Sequence, residues 1–389
     1  MTAQILPADT APESSYGRHS TGILPSHVLA RLLDAGREVT ASEAFAPGQI
    51  QPASIDLRLG PVAYRVRASF LPGQNATVAD KMAHVFMHEI DLSEGAVLEA
   101  GCVYIVPLLE RAAFSARISG TANPKSSTGR IDVFTRLITD QAAAFDRVAA
   151  GYSGPLYAEI CPQTFPVLVR KGSRLNQLRL RHGSPQFSDS ALRRLHEQAP
   201  LVAIDDGAGN SGIGAPNIED GLALSIDLKG DADEGKRIGF RAKKHTGLID
   251  VDRVGLLDPH DFWEPIQANA RGDMVLDPDE FYILVSRERV AIPPDHAAEM
   301  VPFNPLVGEF RVHYAGFFDP GFGYAPGQPP AARGVLEVRS REVPFILEHG
   351  QIIGRLVFER LTDPPPEGYG AGLGSNYQGQ GLKLSKHFR

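Results

Sequence analysis

One spacing recurs along the chain. Val103-Tyr104-Ile105 returns 178 residues later as Phe281-Tyr282-Ile283, and Glu159 in the apolar run LYAEI returns as Glu337 in GVLEV. Phe165-Pro166-Val167-Leu168, closing at Gly172, returns as Val343-Pro344-Phe345-Ile346, closing at Gly350, again 178 residues on. Ser54-Ile55-Asp56-Leu57 is echoed by Ser225-Ile226-Asp227-Leu228 at a distance of 171. One offset kept at three separated places marks a unit written twice, each copy roughly 150–170 residues long. The expected division is a flexible start over 1–20, a first domain over 21–185, a linker over 186–220, a second domain over 221–365 and a tail over 366–389. Within the linker, Ser188 to Gln198 reads as a short helix capped by Ser188, and the Gly/Asn/Ser/Pro content from Pro200 onward reads as connection.

Each copy is a series of short β-rich runs, SIDLRL, VYIVPL, FPVLV and RLNQLRL in the first, FYILV, FRVHY and IIGRLVF in the second. The 30 prolines and 39 glycines punctuate them throughout, as in an all-β barrel or sandwich. The fold expected is therefore all-β, two tandem barrel or jelly-roll domains with a few short helices. The clearest helix is PSHVLARLLDAG at 25–36, with Ser26 as cap and Gly36 as stop. A net charge of −7 gives no global field to recruit nucleic acid, so any phosphate grip is local. Two cysteines, Cys102 and Cys161, are too few for a disulfide framework or a Cys-rich zinc site. No apolar run approaches the roughly 20 residues of a membrane span, and the first residues lack a secretory apolar core; the expectation is a soluble, cytoplasmic protein without membrane contact.

Candidate chemistry begins at Asn123-Pro124-Lys125-Ser126-Ser127-Thr128-Gly129-Arg130. Two hydroxyls, an ammonium and a guanidinium around a glycine turn are what phosphate oxygens need. The second copy reads Asn304-Pro305-Leu306-Val307-Gly308-Glu309 there: the glycine survives and the donors do not. The turn is thus structural, and its donors serve a ligand in the first copy. Glu159 and Glu337 each stand in an apolar strand, which pushes a carboxyl upward toward general acid–base duty; alternation on a wet face is the competing explanation. Asp319, in FFDPGFG, and Asp146, in FDR, sit in turns between strands. The tail EGYGAGLGSNYQGQGLKLSKHFR places Tyr369, Asn376, Tyr377 and Gln380 among glycines, as a lid would. Trp263 reads as a packing anchor, while Arg339-Ser340-Arg341 and Arg241-Ala242-Lys243-Lys244 read as solvated charge. The histidines show no metal spacing.

Taken in order, QPASIDLRLG, KSSTGR, DPGFG, the strand with one glutamate and the Tyr/Gln tail resemble the deoxycytidine triphosphate deaminases of the trimeric dUTPase-like superfamily. Lys125 replaces that family's usual arginine, and Asn376 a usual lysine. The resemblance implies two dUTPase-like domains, a dCTP- or dUTP-type nucleotide as partner, and a homo-oligomer, a trimer or multiple of three. It implies hydrolysis of dCTP to dUTP and ammonia without zinc, since the zinc deaminase signature H-x-E…C-x-x-C is absent. Glu159 or Glu337 would take the proton of the attacking water, with Ser126 and Arg130 holding that water. Lys125 and Ser127 would grip phosphates bearing Mg²⁺, and Asp146, Asp319, Tyr369, Asn376 and Gln380 would position the nucleotide. Family sites lie between subunits, which leaves two arrangements. The first copy's Ser126 and Arg130 face either the second copy's Asp319 and Glu337, or Glu159 of another chain in a ring of first copies. Ring symmetry favours the latter. Alternatives are a dUTP diphosphatase, a deaminase that continues to dUMP, and a non-catalytic nucleotide binder. The hairpin Gly247–Gly255 resembles a diphosphatase uracil loop but falls out of place in the repeat, and reads as a coincidental turn.

Overall fold

Strands of the first copy collect into two six-stranded sheets in the computed structural model, which describes residues 16–205, 211–230, 235–302, 310–312, 316–340, 343–364, 366 and 381–389. One sheet runs Arg147–Val148, Ile118–Pro124, Arg174–His182, Ser54–Arg58, Ile50–Gln51, with Gly22–Ile23 added to Arg174–His182. The other runs Val133–Thr139, Ser153–Pro162, Val103–Ala113, Val62–Val66, Phe86–Asp91, with Glu38–Ala41 added to Val103–Ala113. The second copy repeats the plan. Ile118–Pro124 and Arg174–His182 have counterparts in His296–Pro302 and Ile352–Arg360, each 178 residues on, and each pair is antiparallel. Gly172 and Gly350 turn at φ 89° and 85°, a region only glycine enters freely, which explains the glycine at this point in both copies. The chain is thus the all-β, doubled architecture that its spacing implies.

Four expectations change. The helix near the start spans Ser26–Asp34 with Pro25, not Ser26, at its cap position, and no side chain caps it. A second helix, Val78–Val85, was not foreseen; Thr77 and Asp80 form a capping box whose T-x-x-D signature is readable in the sequence. The stretch 186–220 is more than a connection. Besides the helix Asp189–Gln198, capped by Ser188 as expected, it holds Val202–Asp205, a strand hydrogen-bonded to Phe281–Val290 of the second copy. Finally, the hairpin over 247–255 is an interface element. Its strand Ile249–Asp250 pairs in parallel with Val167–Val169 of the first copy, and Arg170 grips Asp250 with two hydrogen bonds of 2.8 and 2.9 Å. Ser173 donates to Asp252 at 2.6 Å.

That hairpin seats the second copy on the first. Trp263, 1% exposed, packs edge-on against Phe165 of the first copy at 5.5 Å and against Phe388 at 6.0 Å. Phe240, Ile249, Phe262, Phe281 and Ile283 of the second copy join the first copy's core cluster, while Leu224, Leu284, Leu336 and Phe358 belong to a separate core within the second copy. Trp263 is the anchor its sequence context suggested. Among the described residues, no helix is long and apolar enough to cross a membrane. Trp263→Ala should lower the unfolding free energy by about 3–5 kcal/mol, the usual effect of emptying an aromatic core site. Denaturant titration monitored by circular dichroism reads this; a loss under about 1 kcal/mol would show that the seam relaxes around the gap.

Candidate active site

The donor turn is fixed from below. Strand Ile118–Pro124 ends in Pro124, the Lys125 amide donates to the Leu175 carbonyl at 2.8 Å, and one helical turn, Ser126–Gly129, follows. Ser126 and Lys125 stay partly open while Ser127, Thr128 and Arg130 are buried. Lys125 Nζ pairs with Asp56, the acid of SIDLRL, and Arg174 stands 3.8 Å from the same carboxylate.

What this turn faces is the second copy of its own chain. Arg130 Nε lies 3.6 Å from Glu337 Oε1, on the fully buried strand Ala332–Ser340. Asp319, after Phe317–Phe318, lies near Lys125 and Asp56, and its Oδ1 is 3.5 Å from Nη2 of the fully buried Arg179. Burial drives both carboxyls upward, Glu337 to about 7 against the pull of Arg130, and Asp319 to about 6 against that of Arg179. Both therefore exchange protons near neutrality.

Glu159 does not belong to this group. It sits opposite Arg136 on the neighbouring strand, and Arg136 donates to its Oε1 twice, at 3.0 and 2.5 Å. The same guanidinium lies 3.4 Å from the centre of the Phe145 ring and donates to Ser69. Asp146 stays on that side as well, accepting from the Leu137 amide at 2.7 Å, and its carboxyl is raised to about 7, chiefly by burial. Within one chain, then, Arg130 approaches Glu337 and not Glu159. A cross-strand arginine holds Glu159, and Arg130 meets Glu337.

Two contributors were missing from the sequence reading. The last residues of the tail fold across the turn: Ser385 Oγ donates to the Ser127 carbonyl at 2.8 Å, and Arg130 Nη1 donates to that of Lys383 at 3.2 Å. They also bring in Lys386, whose ammonium is pushed down first by burial and then by neighbouring Lys125. Lys125, Arg174 and Lys386 thereby surround Asp56 with three cations beside the Ser126 and Ser127 hydroxyls, a setting for a polyanion. Nothing in the sequence placed Lys386 there, because tail docking depends on the distant hairpin, where the Gly255 amide donates to the Lys386 carbonyl. Tyr369, Asn376, Tyr377 and Gln380 lie outside the described residues. Arg339, expected in solvent, is buried and crosses the boundary between the copies to pair with Asp132.

Comparison with known proteins follows the same outline. The family model described as the N-terminal domain of 2′-deoxycytidine 5′-triphosphate deaminase matches residues 20–184, and that of the C-terminal domain matches 188–388. A protein named dCTP deaminase from Haloarcula marismortui is 35% identical over 209 residues, 51% of this chain and 93% of that protein. One named dCTP deaminase, dUMP-forming, from Beutenbergia cavernae is 30% identical over 151 residues, 37% of this chain and 74% of that protein. The crystal structure of 2′-deoxycytidine 5′-triphosphate deaminase from Agrobacterium tumefaciens superposes with a TM-score of 0.82 at 56% identity, covering 89% of this chain and 100% of that one.

The raised Glu337 carboxyl sets a stability test. A group whose folded value lies above its unfolded one stabilises the fold below the unfolded value, and that contribution is lost as pH rises through the folded value, here about 7. Glutamine imitates the protonated form. Glu337→Gln should therefore unfold like the parent near pH 4 and be more stable, by on the order of 3 kcal/mol, at pH 8. Thermal midpoints at the two pH values check it; equal midpoints at pH 8 would mean that Glu337 ionises without penalty.

Proposed function

The chain belongs to the 2′-deoxycytidine 5′-triphosphate deaminase family, and on that basis we propose that it hydrolyses dCTP to dUTP and ammonia at one site per chain, built across the boundary between its two copies. The approach of Arg130 to Glu337 carries this reading. One copy supplies an acid–base group that titrates near 7, and the other supplies the donors beside it. At neutral pH an appreciable share of Glu337 is a carboxylate able to take the proton of water, and the acid so formed can return it.

In this reading the water oxygen bonds to C4 of the cytosine while Glu337 accepts its proton. That proton moves to N3, giving a tetrahedral centre. The C4 hydroxyl then gives its remaining proton, through Glu337, to the amino group; the C4–N4 bond breaks as the C4 carbonyl forms, ammonia departs, and Glu337 is again a carboxylate. Ser126 and Arg130 orient the water and stabilise negative charge at Glu337 and at the reacting oxygen. Lys125, Ser127 and Lys386 hold the triphosphate, which enters as its Mg²⁺ complex, the metal being part of the substrate. Asp319 positions the sugar or base, and the tail over the turn excludes water from the bound nucleotide. Because the two halves of the site come from one chain, the reading does not require a ring of three chains. The alternative of a dUTP diphosphatase rested on the hairpin over 247–255, and Asp250 and Asp252 there are committed to Arg170 and Ser173.

The two glutamates separate this reading from its rival. Glu337→Gln should reduce ammonia release from dCTP by about 10³-fold or more while dCTP still binds, whereas Glu159→Gln should remain within about threefold of the parent. Ammonia release should also fall as pH drops below about 7, as Glu337 protonates. An ammonia assay beside calorimetric titration with dCTP decides it: the opposite ranking would return the chemistry to Glu159. Chromatography of the nucleotide product distinguishes dUTP from dUMP.

A further inference from the structure

Beside the Arg130–Glu337 contact lies a second ion pair that crosses the same boundary and has no part in the chemistry above. Arg339 follows Glu337 by two residues on the strand Ala332–Ser340, so both side chains leave the same face. Asp132 likewise follows Arg130 by two residues in the first copy. The Arg339 guanidinium pairs with the Asp132 carboxylate through Nη2, which also donates to Thr164 Oγ1 at 2.9 Å, while Nη1 donates to the Asp279 carbonyl at 2.7 Å. Thr164 in turn donates to Asp132 at 2.5 Å.

Both ends of this pair are stiffly joined to the site. Asp132 holds φ 55°, its amide donates to the Gly129 carbonyl at 2.9 Å, and its own carbonyl accepts from the Gln163 amide at 2.9 Å. The carboxylate therefore moves with the turn that carries Ser126 and Arg130. Arg339 moves with Glu337, two strand residues away. The Arg130–Glu337 contact, at 3.6 Å, is too long for a hydrogen bond and cannot fix its own separation. A buried, charge-assisted contact with a threonine locking its acid can.

We propose that Asp132 and Arg339 are positioning residues: their pair sets the separation of the donor turn of the first copy from Glu337 of the second, so that one water beside the contact can touch both Arg130 and the acid. The inference rests on Glu337 being the acid–base group. Among the described residues, the charged side chain facing Glu337 is Arg130; Ile283, opposite it on one neighbouring strand, is apolar, and Asp132 and Arg339 flank the contact. Loosening the clamp moves Arg130 away from Glu337, weakens the pull that favours the carboxylate, and shifts the acid limb of the kcat profile to higher pH.

The test compares Arg339→Gln, Arg339→Lys, the double variant Asp132→Asn/Arg339→Gln, and Glu337→Gln by kcat, KM and the pH profile of ammonia release, with folded fraction measured by circular dichroism. Arg339→Gln should lower kcat about 10–100-fold, as expected for misplacement near 1 Å, with KM within about threefold. Its acid limb should move up in pH, and Arg339→Lys should recover part of both effects. If the single variant leaves Asp132 unpaired and unfolds, the double variant, which removes both charges, should show the same kcat loss and pH shift. A folded double variant with kcat within twofold of the parent and an unmoved limb, while Glu337→Gln is inactive, overturns the clamp alone. An active Glu337→Gln overturns the underlying assignment, and the clamp with it.

Discussion

Buried charges matched across the boundary between its two copies hold this protein together. Arg179 and Arg181 leave one strand of the first copy and meet Asp319, Glu299 and Glu359 of the second; Arg130 meets Glu337, and Arg339 reaches back to Asp132. Every one of these except Arg181, Asp319 and Glu299 is itself a buried residue. Removing one partner of such a pair strands an ion in a poor solvent, at about 3–5 kcal/mol a time. Separating the copies would strand several at once. Positions 181 and 359 are equivalents in the repeat, yet one is arginine and the other glutamate, joined at 2.5 and 2.9 Å. Identical copies would have set like charges against each other there, so divergence at this position makes the doubled chain cohere.

The same divergence explains what the sequence discloses and what it hides. The repeat offset and the β-rich runs fixed in advance an all-β fold in two copies, because strand period and turn glycines are local properties. The donor turn could be picked out because the second copy lacks its hydroxyls and cations. The facing acid could not, since Glu159 and Glu337 have the same residue type and apolar flanks. The difference lies in Arg136, in register opposite Glu159. Register is set by the whole sheet, and the run VFTRLIT gives no sign of which strand its arginine will face. Arg339 misled for a related reason: a charged residue near a strand end looks solvated until a second domain covers it. Lys386 depends on a still longer chain of contacts, tail to hairpin and hairpin to first copy.

A carboxylate with strong, short bonds to an arginine on its own sheet has its charge matched at close range. That describes Glu159: two arginine hydrogen bonds reach one oxygen, and a phenyl ring backs the guanidinium. Glu337 is as deeply buried, yet its arginine comes from across the boundary and stops at 3.6 Å. The consequence is energetic as well as geometric. A charge matched that loosely keeps a high proton affinity, which weakens the fold at neutral pH and is what a proton-transferring group needs. A stabilising role would be better served by the closer pairing that Glu159 makes with Arg136. The proposal for Glu337 thus rests on a site held short of its most stable form, with buried ion pairs beside it, Asp132–Arg339 among them, joining the same two copies.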